Sequence, residues 1–163
     1  MPDSYTAPLG RLTRDTSRII TKLRQRGKLP QNAGVRSIEK SDWPEIIGLH
    51  RLLFDISNEE FALRMKTGGE GIRYCNRLSV VLEYDGNCLG TCLFLPMESD
   101  KTAWLFGAIV APSWRRTWAT VVLKHAAFNR AAKQGVEAIA FQAFNDHPDT
   151  LNHAARVLAE RLP

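Results

Sequence analysis

Apolar residues recur over residues 9–26 at Leu9, Leu12, Ile19, Ile20 and Leu23, which approximates one face of a helix ringed by arginines and lysines. Gly27 stands where a helix of that length needs its C′ residue, and Pro30 bars continuation. Residues 1–8 lack such a pattern and read as disordered, and residues 28–34 read as a linker. Residues 35–38 predict a short strand. Ser41 and Pro44 then open a helix whose apolar face is Ile46, Ile47, Leu49, Leu52, Leu53 and Phe54, and a second helical piece spans 58–66. Two strands, 78–84 and 88–95, flank the hairpin signal Asp85-Gly86-Asn87. A strand at 102–110, a helix at 119–133 stopped by Gly135, and a strand at 136–143 follow. A last helix is capped by Asp149 or Thr150 and runs nearly to Pro163. The order from residue 35 is therefore β-α-α-β-β-β-α-β-α. It predicts an α/β (α+β) domain with a mixed sheet flanked by helices.

Charge divides the chain more sharply than hydropathy does. Residues 1–35 carry seven basic residues (Arg11, Arg14, Arg18, Lys22, Arg24, Arg26, Lys28) against Asp3 and Asp15, whereas residues 36–163 balance fifteen of each sign. The net charge of +5 thus belongs to the N-terminal segment. We expect a basic extension over 1–34, carrying the amphipathic helix, and a domain over 35–163. With 44% apolar and 24% charged residues the composition is that of an ordinary globular protein. No apolar run reaches the ~20 residues of a membrane span, and no secretory core is present, so a cytoplasmic protein is expected. Cys75, Cys88 and Cys92 form no CxxC pair and have no histidine at ligand spacing, which predicts reduced thiols packed as small apolar residues.

Residues 110–120, Val-Ala-Pro-Ser-Trp-Arg-Arg-Thr-Trp-Ala-Thr, carry the chemistry. A strand that ends at a proline turn, exposes two arginines and opens a helix gathers three attractions for an anion. These are unbonded backbone N–H groups, the positive end of the helix dipole and guanidinium charge.

The same segment resembles the pyrophosphate loop of the GCN5-related N-acetyltransferase (GNAT) superfamily, whose members bind acetyl-coenzyme A. Val110-x-Pro112 ends the strand, Arg115 opens the loop pattern Arg/Gln-x-x-Gly-x-Gly/Ala, and Asn152-x-x-Ala155 with Ala159 follows the helix pattern Asn-x-x-Ala-x-x-x-Tyr. The resemblance covers about residues 35–163 and implies an acyl-CoA N-acyltransferase-like fold. It implies that Ile109, Val110 and Ala111 pair with pantetheine, that Arg115, Arg116, Thr117, Trp118, Ala119 and Thr120 hold the pyrophosphate, and that Asn152 assists. Acetyl-CoA or another acyl-CoA would be the co-substrate.

Departures from the pattern bear on catalysis. Trp118 and Thr120 replace the two loop glycines, Trp104 stands where some members carry a glutamate base, and Ala159 replaces the tyrosine that protonates the departing thiolate. Glu98, with Asp100 beside it, is the nearest acidic candidate, although both also read as solvated turn residues. Pro163 stands where the family's last helix gives way to two further strands, so the expected sheet keeps an open edge that a second copy of the chain could pair with. His50 reads as packed among leucines, and His125 as structural or solvent-facing. His147 and His153 with Asp146 and Asp149 read as a capped turn, so no metal is expected. Trp104, Phe106, Trp114 and Trp118 read as core and edge packing, or as an acyl or acceptor pocket to which Phe54, Phe61 and Tyr74 contribute.

The expected function is acetyl transfer from acetyl-CoA to an amine on a small molecule or peptide, by direct attack. The alternative is a non-catalytic GNAT-fold binding or assembly module. The basic N-terminal helix reads first as solvated or partner-docking, then as a phosphate-neutralising surface for nucleic acid, without any base-reading motif, and third as attached to an anionic membrane surface, limited by its modest apolar face.

Overall fold

The computed structural model describes residues 3–51, 74–95, 99, 101–143 and 160–162. The helix expected at 58–66 and most of the last helix lie outside them, as do Glu98, Asp100, Asn152, His147 and His153. Among the described residues seven strands make one sheet: β1 (Asp3–Pro8), β2 (Ala33–Ser37), β3 (Val80–Tyr84), β4 (Asn87–Phe94), β5 (Thr102–Val110), β6 (Ala138–Ala143) and β7 (Glu160–Arg161). Their order is β2-β3-β4-β5-β6-β1-β7. The helices are α1 (Leu9–Gln25), α2 (Trp43–Arg51) and α3 (Trp118–Lys133). β2 to β5 form an antiparallel meander, β5 and β6 run parallel through the α3 crossover, and β1 pairs antiparallel with both β6 and β7.

The pleat sorts side chains to the two sheet faces. Val80, Leu82, Cys92 and Phe94 join Leu123, Ala127 and Phe128 of α3 and Leu9 and Leu12 of α1 in one buried cluster. Val81 and Leu93, their neighbours in sequence, join Trp43 and Ile46 of α2 in the other. Gly90 allows α3 this close: a Cβ there would lie 2.8 Å from the Ile109 carbonyl oxygen and 3.1 Å from a Leu123 methyl.

Several expectations are corrected. Residues 3–8 are not disordered. They form β1, in register with β6 from Asp3↔Ala143 to Pro8↔Ala138, and Leu9 N–H donates to Glu137 O at 2.8 Å. Alternation was too weak in Asp-Ser-Tyr-Thr-Ala-Pro to mark this strand, whose place is set by pairing with the distant strands β6 and β7 rather than by a local pattern. β1 also fills the sheet edge expected to stand open beside β6. The linker shortens, since β2 begins at Ala33. The end of the chain is strand rather than helix at Glu160–Arg161, where Arg161 reaches Asp3 at 2.6 Å. Before α2, Asp42 rather than Ser41 closes the turn, its Oδ2 accepting from Glu39 N at 2.7 Å. The Asp42 carboxylate also takes a two-pronged contact from Arg36 at 2.8 and 2.9 Å, which holds it below the usual carboxylate range. No helix among the described residues is long and apolar enough to cross a membrane.

Candidate functional site

The site begins where β5 and β6 part. They pair from Thr102↔Ala138 to Leu105↔Phe141, and β5 then runs on to Val110 with no β6 partner among the described residues. The parting coincides with a register shift against β4, where Leu93 faces Gly107 and Phe94 faces Leu105, so that Phe106 is the extra, bulged residue. Beyond the bulge Ala111 N donates to Leu89 O at 2.8 Å. Successive residues of a strand address opposite neighbours, so Ile109 also faces β4 while Ala108 and Val110 turn their backbone groups to the gap. Of the three residues expected to pair with pantetheine, Val110 thus has gap-facing backbone, and Ala108 is the residue the sequence did not indicate. Ladder phase, which the bulge sets, decides this.

At the mouth of the gap the chain makes a 3-10 turn, Pro112–Trp114, and Arg115 folds back so that its Nε donates to Val110 O at 3.2 Å. Arg116 takes a left-handed conformation at φ 59°, which costs about 1–2 kcal/mol in a residue with a Cβ. Thr117 is the N-cap of α3: its Oγ1 accepts from Ala119 N at 3.2 Å and donates to Trp114 O at 2.6 Å. The amides of Trp118 and Thr120, in the first turn of α3, have no preceding helical carbonyl to bond. Trp118, at a loop position that normally calls for glycine, is here the first helical residue, and the left-handed conformation falls two residues earlier.

The Trp118 indole packs edge-on against Tyr84 and Trp114, with centroids 5.3 and 5.7 Å apart. Tyr84 ends β3, which lies on the far side of β4 and β5 from β6, so the ring leans away from the gap. The four aromatics weighed as one pocket therefore separate. Trp114 and Trp118 pack beside the α3 cluster, whereas Phe106 belongs to the α2 side, where Tyr74 lies against Trp43.

His50 is buried on α2. A carbonyl can only accept, so its Nδ1 carries the proton and donates to Ile46 O at 2.9 Å. The ring lies near-parallel to Phe106 at 6.1 Å, and its Nε2 would be 3.5 Å from a Cβ on Gly107. Burial lowers its pKa to about 4, so the imidazole is neutral at physiological pH beside the bulge. His125, on α3, is structural: its Nδ1 lies 2.8 Å from Thr16 Oγ1 and its Nε2 2.9 Å from Asn129 Nδ2. Burial raises the thiols of Cys88 and Cys92, to about 11 and about 12 respectively. No group of three or more His, Cys, Asp or Glu side chains among the described residues could hold a metal ion.

Comparison with known proteins agrees with this geometry. No curated protein matches the sequence significantly. Among solved structures, a GCN5-related N-acetyltransferase from Sphaerobacter thermophilus superposes with TM-score 0.60 at 14% identity, covering 99% of this chain and 49% of that one. A tandem GNAT protein from the clavulanic acid biosynthesis pathway gives 0.66 at 13% identity, covering 98% and 50%. The chain thus spans about half the length of these two structures, and both superpose over β1 and α1 as well. Aminoglycoside N-acetyltransferase AAC(6')-Iy, in complex with coenzyme A, gives 0.63 at 18% identity, covering 83% of this chain and 95% of that one. The family model for the acetyltransferase (GNAT) family matches residues 35–162. With the parted strands, the arginine-bearing turn and the helix start behind it, this chain belongs to the GNAT acetyltransferase family.

Proposed function

We propose that the chain is an acyl-coenzyme A-dependent N-acyltransferase that moves an acetyl group from acetyl-coenzyme A to an amine of a small molecule or peptide. The observation that carries this reading is the gap between β5 and β6, with Arg115 and the first turn of α3 at its mouth. The residues fit the group. A chain of alternating amide and carbonyl groups such as pantetheine matches the backbone of Ala108 and Val110, and a pyrophosphate matches Arg115, Arg116 and the amides of Trp118 and Thr120. Ile109 and Ala111 flank the gap-facing positions, while Thr117 and Ala119 complete the helix cap. The Trp118 ring leaves the cradle clear because Tyr84 and Trp114 hold it on the opposite side.

Acetyl-coenzyme A supplies an activated thioester carbon. The protein's part is to fix that carbon near the bulge, to aim backbone N–H groups at its carbonyl oxygen and to admit an amine from the α2 face. An imidazole with a pKa near 4 is too weak a base to take a proton from an ammonium, so His50 serves as a neutral wall of the site.

The test is a calorimetric titration with acetyl-coenzyme A. Saturable binding is expected, and Arg115→Ala combined with Arg116→Ala should weaken it about tenfold or more, or ~1.4 kcal/mol. No heat and no thermal shift at millimolar ligand would overturn the reading. The second reading, a non-catalytic binding module, is favoured by the Arg115 contact to Val110 O, which occupies a gap-facing carbonyl. Binding without release of free thiol in the presence of a panel of amines would decide for it.

A further inference from the structure

Helix α1 lies on the same sheet face as α3 and runs antiparallel to it. Its first residue, Leu9, bonds Glu137 just beyond the C-terminal end of α3, and about two turns further on Thr16 meets His125. Both helices rise about 1.5 Å per residue. Arg24, eight residues beyond Thr16, is therefore level with Thr117, eight residues before His125, at the start of α3. Arg24 also exerts its charge on His125, which together with the larger effect of burial lowers the pKa of that histidine.

α1 contacts β6 and β1 as well as α3, so it flanks α3 on the β6 side, the side on which β5 and β6 part. Between Thr16 and Gly34 the chain has five cations, Arg18, Lys22, Arg24, Arg26 and Lys28, and no carboxylate. All five are exposed. The helix dipole accounts for a cation or two in the last turn of α1, where Lys22 and Arg24 lie. It does not call for five. Gly27, at φ 65°, turns the chain so that Lys28 N–H donates to Leu23 O at 2.9 Å, which keeps Lys28 against the end of the helix.

We propose that the C-terminal end of α1, through Arg24 and Lys28, forms a second phosphate subsite beside the α3 cradle and recognises the 3′-phosphate on the adenosine end of coenzyme A. This rests on the acyl-coenzyme A reading above and adds a residue set that lies outside the loop pattern, on a helix N-terminal to the matched residues 35–162. The 3′-phosphate is a dianion a few bonds from the pyrophosphate. A ligand lying in the gap with its pyrophosphate on α3 carries that group out of the gap's mouth, toward the level at which α1 presents its exposed cations.

The experiment compares coenzyme A with 3′-dephospho-coenzyme A by calorimetry on the full chain, in wild type and in the pair Arg24→Glu with Lys28→Glu, at low and moderate salt. Wild type should prefer coenzyme A about tenfold, with the preference shrinking as salt rises. The pair should bind both ligands equally, with its affinity for the dephospho form unchanged. Arg24→Gln with Lys28→Gln, which removes charge without reversing it, should give the same equalisation at unchanged melting temperature. A wild type that binds both ligands equally would overturn the subsite and leave the acyltransferase reading standing. So would a variant that keeps the preference, or one that loses both ligands in parallel. A wild type that binds neither ligand would overturn both.

Discussion

Trp118 and Tyr84 meet edge-on with ring centroids 5.3 Å apart, a contact that joins the first residue of α3 to the last residue of β3. It explains how a tryptophan stands in the proposed phosphate loop at a position where the family pattern has glycine. The backbone amide remains at the helix start while the side chain is drawn over the sheet edge. Trp118→Gly should therefore cost stability rather than affinity. Losing two edge-to-face partners is worth about 0.5–1.5 kcal/mol each, so denaturant melts should show a loss of roughly 1–3 kcal/mol. Acetyl-coenzyme A binding should change by less than about threefold. A large gain in affinity would mean that the indole obstructs the cradle.

The N-terminal segment is structural. Ala7, Leu9 and Leu12 are at most 2% exposed, and β1 supplies the ladder between β6 and β7. Removing residues 1–25 should leave a chain that does not melt cooperatively, measured by circular dichroism and amide exchange. A truncated protein with a sharp transition near that of the full chain would contradict this arrangement.

His50 links stability to pH. Its folded pKa of about 4 lies below its ordinary value of 6.5, so between those values the unfolded chain binds more protons and stability rises with pH. The contribution is complete above about pH 6.5 and is lost as pH falls toward 4. The shift corresponds to about 3 kcal/mol. His50→Phe, which keeps a ring against Phe106, should flatten this part of a urea-stability profile measured from pH 7 to 4. A variant whose slope matches the wild type would assign the pH dependence elsewhere, with His125, also lowered, the next group to replace.

Gly90 sets the distance between α3 and the sheet. An added methyl would meet the Ile109 carbonyl oxygen, a backbone atom, at 2.8 Å, so relief requires moving α3 or bending β5. Gly90→Ala should lose about 1–3 kcal/mol and should also weaken acetyl-coenzyme A binding, because both walls of the cradle shift. Unchanged melting and unchanged affinity together would show that the gap is more compliant than the packing indicates.

The thiols should be graded by burial. With Cys88 raised to about 11 and Cys92 to about 12, almost no thiolate forms at pH 8, and neither should react with a disulfide reagent in the native protein. Of the three cysteines, Cys75 should label first, and all three should label in denaturant. Rapid labelling of Cys92 in native protein would indicate frequent opening of the α3 face.

The meander and the crossover were legible because each rests on a local rule. Asp85-Gly86 takes positive φ at the β3–β4 turn as the hairpin signal requires, and Gly135, also at positive φ, follows α3. The turn and helix start after β5 were legible for the same reason, since a proline, a capping threonine and the residues beside them act locally. Three things were not. The bulge at Phe106, which decides that Ala108 and Val110 rather than Ile109 and Ala111 face the gap, depends on the register between two strands. The direction of the Trp118 ring depends on Tyr84, more than thirty positions away. The basic N-terminal helix read as a detached extension because composition counts charge and cannot measure distance.

The sequence alone determined the periods, the stops and the charge of each segment, since these follow from the side chain's own chemistry and that of neighbours within a turn or two. Only the tertiary structure decided that β1 completes the sheet and that α1 brings its cations level with the start of α3. Those outcomes are set by strand pairing and helix docking between residues more than a hundred positions apart, such as Thr16 and His125. No local pattern encodes that juxtaposition.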